Sequence, residues 1–234
     1  MTHDWERIAA KEAFFGVVTA DKYRARELTP ERITEFYATG EGDIADVVAT
    51  FQRVFGAAPS GGRALDIGCG VGRLARAMRN HANAVTGYDV SDSMLAVARE
   101  HAGEGVDYTT AFPHGAFDWI NSYVVFQHIP PVEGLALLKR ALALLAPGGF
   151  ASIQVTAWRT AHLEPKGPLR QAKRAAHLAL ARAGARPAEA LIQMHDYALT
   201  DVIRAFVETG IGQQHLVHTD HGGHHGVWIY GRKG

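Results

Sequence analysis

Thiols are almost missing from this chain. One cysteine, Cys69, in 234 residues excludes a disulfide framework and any zinc site built from cysteines. A charge excess of either sign is missing too. Lys plus Arg and Asp plus Glu number 24 each, so no global basic footprint marks a nucleic-acid partner. No apolar run approaches the ~20 residues needed to cross a bilayer, which argues against a membrane partner. The opening "MTHDWERIAAKEAFF" is charged from its fourth residue and lacks the apolar stretch and small-residue cleavage site of a secretory signal. Glycine and proline are not in excess, at 25 and 9, while 47% of residues are hydrophobic, which excludes disordered and fibrous classes. No internal repeat or low-complexity tract appears. The expectation is a soluble, cytoplasmic α/β domain with room for one core and at most a lid.

What is present from residue 63 onward is an alternation of strand-like and helix-like segments. "RALDIG" reads as a short buried strand and "GRLARAMRN" as a helix with Leu74, Ala77 and Met78 on one face. "NAVTGYD" is a second strand and "SDSMLAVAREH" a second helix. "GVDYTT" and "FDWINSYVVF" read as strands three and four. The apolar helix "PVEGLALLKRALALL" opens after Pro130-Pro131 and stops at the Pro-Gly break "APGG", and "FASIQVT" follows as strand five. Strands separated by helices imply parallel βαβ units in a sheet covered on both faces. Upstream, Thr29 and Pro30 mark a helix start. "EGDIADVVATFQRVFG" places Ile44, Val47, Val48, Phe51, Val54 and Phe55 at helical spacing, with Gly56 as stop. The division expected is a helical leader or lid over 1–60 and a Rossmann-like core over 61–156. A helical insertion over 157–197 then forms a substrate lid, and residues 198–234 supply a helix and strand pair that complete the core.

Between the first strand and helix lies Asp66-Ile67-Gly68-Cys69-Gly70-Val71-Gly72. A dinucleotide fingerprint needs G-x-G-x-x-G, its third glycine letting helix and strand pack beside a pyrophosphate. Arg73 holds that position here, and the third glycine falls one residue early. An acid two residues before the first glycine would repel a pyrophosphate but attract an ammonium or sulfonium. S-adenosylmethionine (SAM) carries both cations and no phosphate, so spacing and charge favour SAM over NAD. Asp89, ending "TGYDVS", is placed to accept ribose hydroxyls, as in other Rossmann-like nucleoside sites.

With these motifs in order, the chain resembles the class I SAM-dependent methyltransferases of small-molecule type. "LDIGCGVGRLARAM", "VTGYDVSDSMLAVARE", "FDWINSYVVFQHIP" and "LLKRALALLAPGGFASIQV" carry the resemblance, which covers residues 61–156 and 198–232. It implies a seven-stranded, mostly parallel sheet with the last strand antiparallel. It also implies a cofactor site of Asp66, Gly68, Cys69, Gly70, Gly72, Arg73, Asp89, Val90, Met94 and Gln127, with SAM bound and S-adenosylhomocysteine released. One departure stands out. The acid that many members carry after strand three is replaced by Thr109, Thr110 and Ala111, which leaves the adenine contacts open.

Ligands in an open parallel sheet lie beyond the carboxyl ends of the strands. That rule selects Gln127 and His128 after strand four, Trp158, Arg159 and His162 after strand five, and the hairpin histidines His218, His221, His224 and His225. Imidazole suits a general base near pH 7, so His128, His221 and His224 are the catalytic candidates. Tyr23, Tyr37, Trp158 and Arg159 are candidate substrate contacts. The histidine hairpin also reads as a solvated turn at Gly222-Gly223. A metal is not expected, since only Asp220 offers a nearby carboxylate. Residues 157–190 hold seven Lys/Arg against two acids, a local net of +5. Arg170, Lys173, Arg174 and His177 share one helical face, which reads either as a solvated surface or as a lid attracting an anionic acceptor. The function expected is methyl transfer to a small molecule, oxygen ahead of nitrogen. A non-catalytic SAM-binding regulator or scaffold and an RNA or protein methyltransferase are the alternatives, and a homodimer stays open.

Overall fold

A computed structural model describes residues 2–160, 163, 168–187 and 191–234, without the side chains of 2, 3, 168–171 and 174. Seven strands form one sheet: β1 (Arg63–Ile67), β2 (Ala84–Tyr88), β3 (Val106–Thr109), β4 (Phe117–Ser122), β5 (Leu145–Arg159), β6 (Gln213–Asp220) and β7 (His224–Arg232). Their order is β3-β2-β1-β4-β5-β7-β6. Neighbours from β3 to β5 run parallel, and β7 runs antiparallel to both β5 and β6. This is the Rossmann-like sheet, with its last strand antiparallel, that the resemblance implies. The helices are α1 (Thr2–Val17), α2 (Pro30–Phe55), α3 (Arg73–Met78), α4 (Asp92–Glu100), α5 (Pro131–Ala143), α6 (Pro168–Arg182) and α7 (Leu199–Glu208).

The sheet is buried on both faces, as strands with continuous apolar runs require. One face packs Leu65, Ile67, Ile120 and Ile153 against Leu138 and Leu142 of α5 and Val202 and Phe206 of α7. The other packs Ala64, Val85 and Trp119 against Ile44, Val47 and Phe51 of α2, Leu74 of α3 and Leu95 of α4. A third cluster sits above the glycine turn. It joins Ile8 and Phe14 of α1, Tyr23, Phe36 and Tyr37, and Met94 to Ala181 and Leu191 beyond the sheet.

Local signals explain the element ends. Thr29 accepts from the Arg32 N–H, Pro30 opens α2, and Gly56 closes it in the left-handed conformation with its N–H on the Gln52 carbonyl. The two helical stretches read from the sequence are one continuous helix. Gly40 keeps it in contact with α3, because a Cβ there would stand 2.4 Å from the Arg73 carbonyl oxygen. Two strand limits differ from expectation. β4 ends at Ser122, and the apolar run that follows turns away into a 3-10 turn at Phe126–His128. β5 begins at Leu145, within the helix-breaking segment, where Gly148 and Gly149 exchange backbone hydrogen bonds with Lys233.

Candidate functional site

The carboxyl ends of β1, β2 and β4 open into a cavity of about 930 Å³, roofed by α1 and the segment after it. Asp66 stands at its floor as the end of a directed hydrogen-bond chain inside the sheet. Trp119 Nε1 donates to Ser152 Oγ at 2.9 Å, Ser152 Oγ to Asn121 Oδ1 at 2.7 Å, and Asn121 Nδ2 to Asp66 Oδ1 at 2.9 Å. A chain in which each donor polarises the next favours a negative terminus. The other carboxylate oxygen, Oδ2, is buried with no partner. Burial pushes the Asp66 carboxyl up to about 7, against the Asn121 hydrogen bond and the Arg73 charge, which pull it down. A buried acceptor left unpaired costs about 1–3 kcal/mol, so this oxygen is poised for a donor from the cavity.

The glycine turn wraps over that floor. Gly68 and Cys69 both donate to the Tyr88 carbonyl, and Gly70 N–H donates to Asp89 Oδ2 at 2.9 Å. Gly68 and Gly70 have φ of 70° and 52°, a conformation that favours glycine. Space requires glycine as well: a Cβ at Gly68 would meet Val125 Cγ1 at 2.4 Å, and one at Gly70 would meet Val17 Cγ2 at 2.7 Å. Asp89 accepts from Gly70 and Ser91 N–H, and burial raises its carboxyl pKa. Each oxygen keeps a second lone pair for a hydroxyl. Val90, Met94, Tyr88 and Leu137 continue the wall beside it. Cys69 is buried, and burial drives its thiol up, which makes it packing and not a nucleophile.

Arg73 is buried beneath the turn. Its Nη1 donates to Asp43 Oδ2 at 2.6 Å and Thr39 Oγ1 at 3.1 Å, both from α2, while its Nε is buried and unpaired. A helix from the leader thus completes the cavity floor. Asp43 has no motif around it, and only the folded chain brings it to Arg73.

Among the catalytic candidates, all three line the cavity. His128 is held at both ring nitrogens. Nδ1 meets the Gln193 carbonyl at 2.8 Å, so it carries the proton, and Nε2 accepts from the Gln127 amide at 3.3 Å. Gln127 in turn accepts from Thr156 Oγ1 at 2.7 Å. Burial lowers the His128 pKa to about 4, too weak a base for efficient proton transfer at pH 7. Burial thus favours a neutral ring here, packed edge-on against Trp5 at 5.2 Å.

His221 and His224 differ. They flank the Gly222-Gly223 turn as a cross-strand pair exchanging backbone hydrogen bonds, which puts both rings on one face. His221 Nε2 and His224 Nδ1 are buried and unpaired. Burial lowers both pKa values, opposed at His221 by the Asp220 and Asp43 carboxylates and reinforced at His224 by Arg159. His221 also faces the Tyr123 ring, 5.8 Å away, and Tyr123 stacks on Trp228 at 4.7 Å.

Other expectations move. Tyr23 lines the cavity and Tyr37 does not. The Tyr37 hydroxyl donates to the Val71 carbonyl and the ring carries the Arg76 guanidinium, behind the glycine turn. Gly72 also stands off the cavity, its hydrogen filling space that Tyr108 leaves. Trp158 is 46% exposed and stacks on His218 and His225, outside the cavity. Arg159 makes a two-point ion pair with Asp196 that ties β5 to the segment before α7. Thr109 and Ala111 bond to each other instead of lining the wall. Lys173 and His177 are exposed, and the described part of the insertion gives the cavity Ile192 and Met194. On the basic face read as a lid for an anionic acceptor, Lys173 and His177 are the members with described side chains. His162 and the side chains of Arg170 and Arg174 lie outside the described residues. Among the described residues no cluster has metal-ligand geometry, and no helix is long and apolar enough to cross a membrane.

Residues 40–206 match the family model described as a methyltransferase domain. A ubiquinone biosynthesis O-methyltransferase of Xanthomonas axonopodis pv. citri is 33% identical over 132 residues, covering 47% of this chain and 54% of the relative. A second, from Paramagnetospirillum magneticum, is 42% identical over 93 residues, 36% of each chain. The chain thus spans about half the length, or less, of the curated relatives it matches. In shape, it resembles magnesium protoporphyrin IX methyltransferase from Synechocystis PCC 6803 with bound SAM. The TM-score is 0.59 at 15% identity, over 98% of this chain and 97% of that one. It also resembles the SAM-bound amino pentose methyltransferase CalS10 from Micromonospora echinaspora, with TM-score 0.59, 15% identity and coverage of 88% and 98%.

Proposed function

The chain belongs to the methyltransferase domain family, with SAM as its methyl donor, and on that premise we propose that it methylates an oxygen of a small-molecule acceptor. The observation that carries this reading is the pair of unpaired, buried imidazole nitrogens at the end of the cavity away from Asp89.

The donor site fits this chain's residues. The unpaired Asp66 oxygen meets the need of an ammonium group, the remaining lone pairs of Asp89 suit ribose hydroxyls, and Gly68 and Gly70 leave the turn bare of side chains. Gln127 fixes the His128 ring at the wall, and Met94 closes the space below α1. When bound, SAM supplies an electrophilic methyl group on a sulfonium.

The protein's share of the chemistry is orientation and proton removal. Neutral imidazoles at pH 7 present one lone pair and one N–H each. At His224 the Asp196 and Asp220 carboxylates are opposed by the Arg159 and His221 charges, whereas Asp43 and Asp220 support the protonated form of His221, and the base is assigned to His221. Its Nε2 takes the acceptor's hydroxyl proton, and His224 orients the same group by hydrogen bonding. Apolar side chains, Trp5, Ile192 and Met194 among them, line the cavity and limit its water. An amine acceptor of ordinary basicity would instead have to reach the site already deprotonated.

The test is release of S-adenosylhomocysteine from SAM in the presence of matched phenol, alcohol and amine panels. Turnover on hydroxyl compounds, reduced about 10²–10⁴-fold by His221→Asn, is the expected result. Turnover confined to amines refutes the oxygen reading. Tight SAM binding with no turnover on any panel or metabolite extract would favour a non-catalytic SAM binder.

A further inference from the structure

Gln154 sits fully buried in the middle of β5. Its side chain makes two bonds that join parts of the site far apart in sequence. Oε1 accepts from the Val124 N–H at 3.3 Å, and Nε2 donates to Thr219 Oγ1 at 3.3 Å. Thr219 is on β6, and β7 lies between β5 and β6. The residue of β7 level with Thr219 is Gly226, which pairs with Thr219 on one side and Thr156 on the other. A Cβ on Gly226 would stand 3.0 Å from Gln154 Nε2 and 2.1 Å from the Val155 carbonyl oxygen. The missing side chain leaves the passage through which the amide crosses β7.

Both ends of this bridge carry functional groups. Val124 is, among the described residues, the one non-glycine residue with positive φ, at 60°. A β-branched residue in that conformation is strained and persists only where its surroundings hold it. It sets Tyr123 beside His221 and Val125 against Gly68. Thr219 is two residues before His221, at the root of the histidine hairpin.

We infer that Gln154 is a positioning residue whose amide yokes the strained Val124 peptide to the root of the hairpin, so that the turn after β4 and the two imidazoles keep one spacing. The inference rests on the reading that the hairpin meets the acceptor, but its test does not need the acceptor. The probe is S-adenosylhomocysteine bound to the full chain, with the histidine rings followed by long-range ¹H–¹⁵N correlation across pH. In Gln154→Met both bonds are lost and the hairpin loosens. Water then relieves the burial that lowers His221 and His224, while Asp43, Asp220, Arg159 and Asp196 are unchanged and the His221 charge still opposes that of His224. Their titration midpoints are expected to rise by about half a unit or more. His128 feels the His224 charge, so earlier charging of His224 holds it or presses it lower, whereas a general loosening would raise it, and that opposite direction makes it the internal control.

Thr219→Val cuts only the hairpin side and is expected to give the same direction. Thr219→Ser restores the hydroxyl and the original midpoints. A general loss of stability would move His128 together with the other two, and that result overturns the inference, as do unchanged midpoints in folded Gln154→Met or, should that variant not fold, in Thr219→Val. If the midpoints move as expected while His221→Asn retains full turnover, the yoke stands and the acceptor reading falls.

Discussion

At pH 8 the ligand-free protein carries an ionised Asp66 that is buried and has one oxygen without a partner. Its folded-state pKa lies near 7 against an ordinary 3.8. Because that value is raised, the protonated acid favours the folded state. The contribution to stability is fullest below pH 3.8, falls as pH rises, and is lost above about pH 7. At 1.36 kcal/mol per unit the loss amounts to about 4 kcal/mol. Asp66→Asn keeps the acceptor for Asn121 and removes the charge, so it should stabilise the ligand-free protein by up to that amount at pH 8 and by almost nothing at pH 4. The difference between variant and parent isolates Asp66 from other groups that titrate in the same range. Urea unfolding at pH 4, 6 and 8 reads it out. The same substitution should weaken SAM binding by about 1.5–3 kcal/mol, the range for a hydrogen bond to a charged group. In the parent, binding at pH 6 must first expel the Asp66 proton, so affinity should drop about tenfold between pH 8 and pH 6, with close to one proton released. Calorimetry in two buffers of different ionisation heat counts that proton. An Asn variant no more stable than the parent at pH 8, or a parent whose SAM affinity is flat over this range, refutes the reasoning.

Three further outcomes follow from the same geometry. His128 titrates near 4 in the fold and near 6.5 when unfolded; its lowered value contributes about 3 kcal/mol above pH 6.5 that is lost as pH falls through 4. His128→Gln should flatten that acid slope in urea titrations, and an unchanged slope would show the ring to be solvated. Gly68→Ala drives a methyl group into Val125 at a left-handed position, costing about 1–3 kcal/mol. It should abolish detectable SAM binding before it abolishes folding, as thermal melts with and without SAM would show. Arg182 holds the carboxylate of Asp4 through two hydrogen bonds and thereby ties α6 to α1, the roof of the cavity. Arg182→Ala should speed hydrogen exchange in residues 4–10 several-fold and leave the sheet unaffected; equal protection in both proteins would mean that the apolar cluster around Ile8 alone holds the roof.

Periodicity and turn chemistry were enough to read the alternation of strands and helices and the donor's identity, while the seven-stranded sheet with its antiparallel last strand came from the family resemblance. Those signals are local: apolar spacing, Pro30 and Gly56 at helix ends, and an acid beside a glycine turn each act within a few residues. Asp66, Asp89 and the glycines belong to one such continuous stretch, and their place at the ends of β1 and β2 follows from the strand order. The acceptor end had no such signature. Asp43 meets Arg73 across 30 residues, Gln127 holds His128 while reaching Thr156, and Gln154 reaches Val124 and Thr219 over a strand that lies between them. Tyr37, Trp158 and Arg159 had the right chemistry at plausible positions, yet packing turned them behind the glycine turn, outward to solvent or into an ion pair. The sequence by itself determined the alternation of strands and helices, the glycine turn and SAM as donor, because each is written in residues close along the chain. Which polar atoms remain unpaired around the cavity was decided only by tertiary structure, since a hydrogen bond is satisfied or left open by whatever distant segment the fold brings against it.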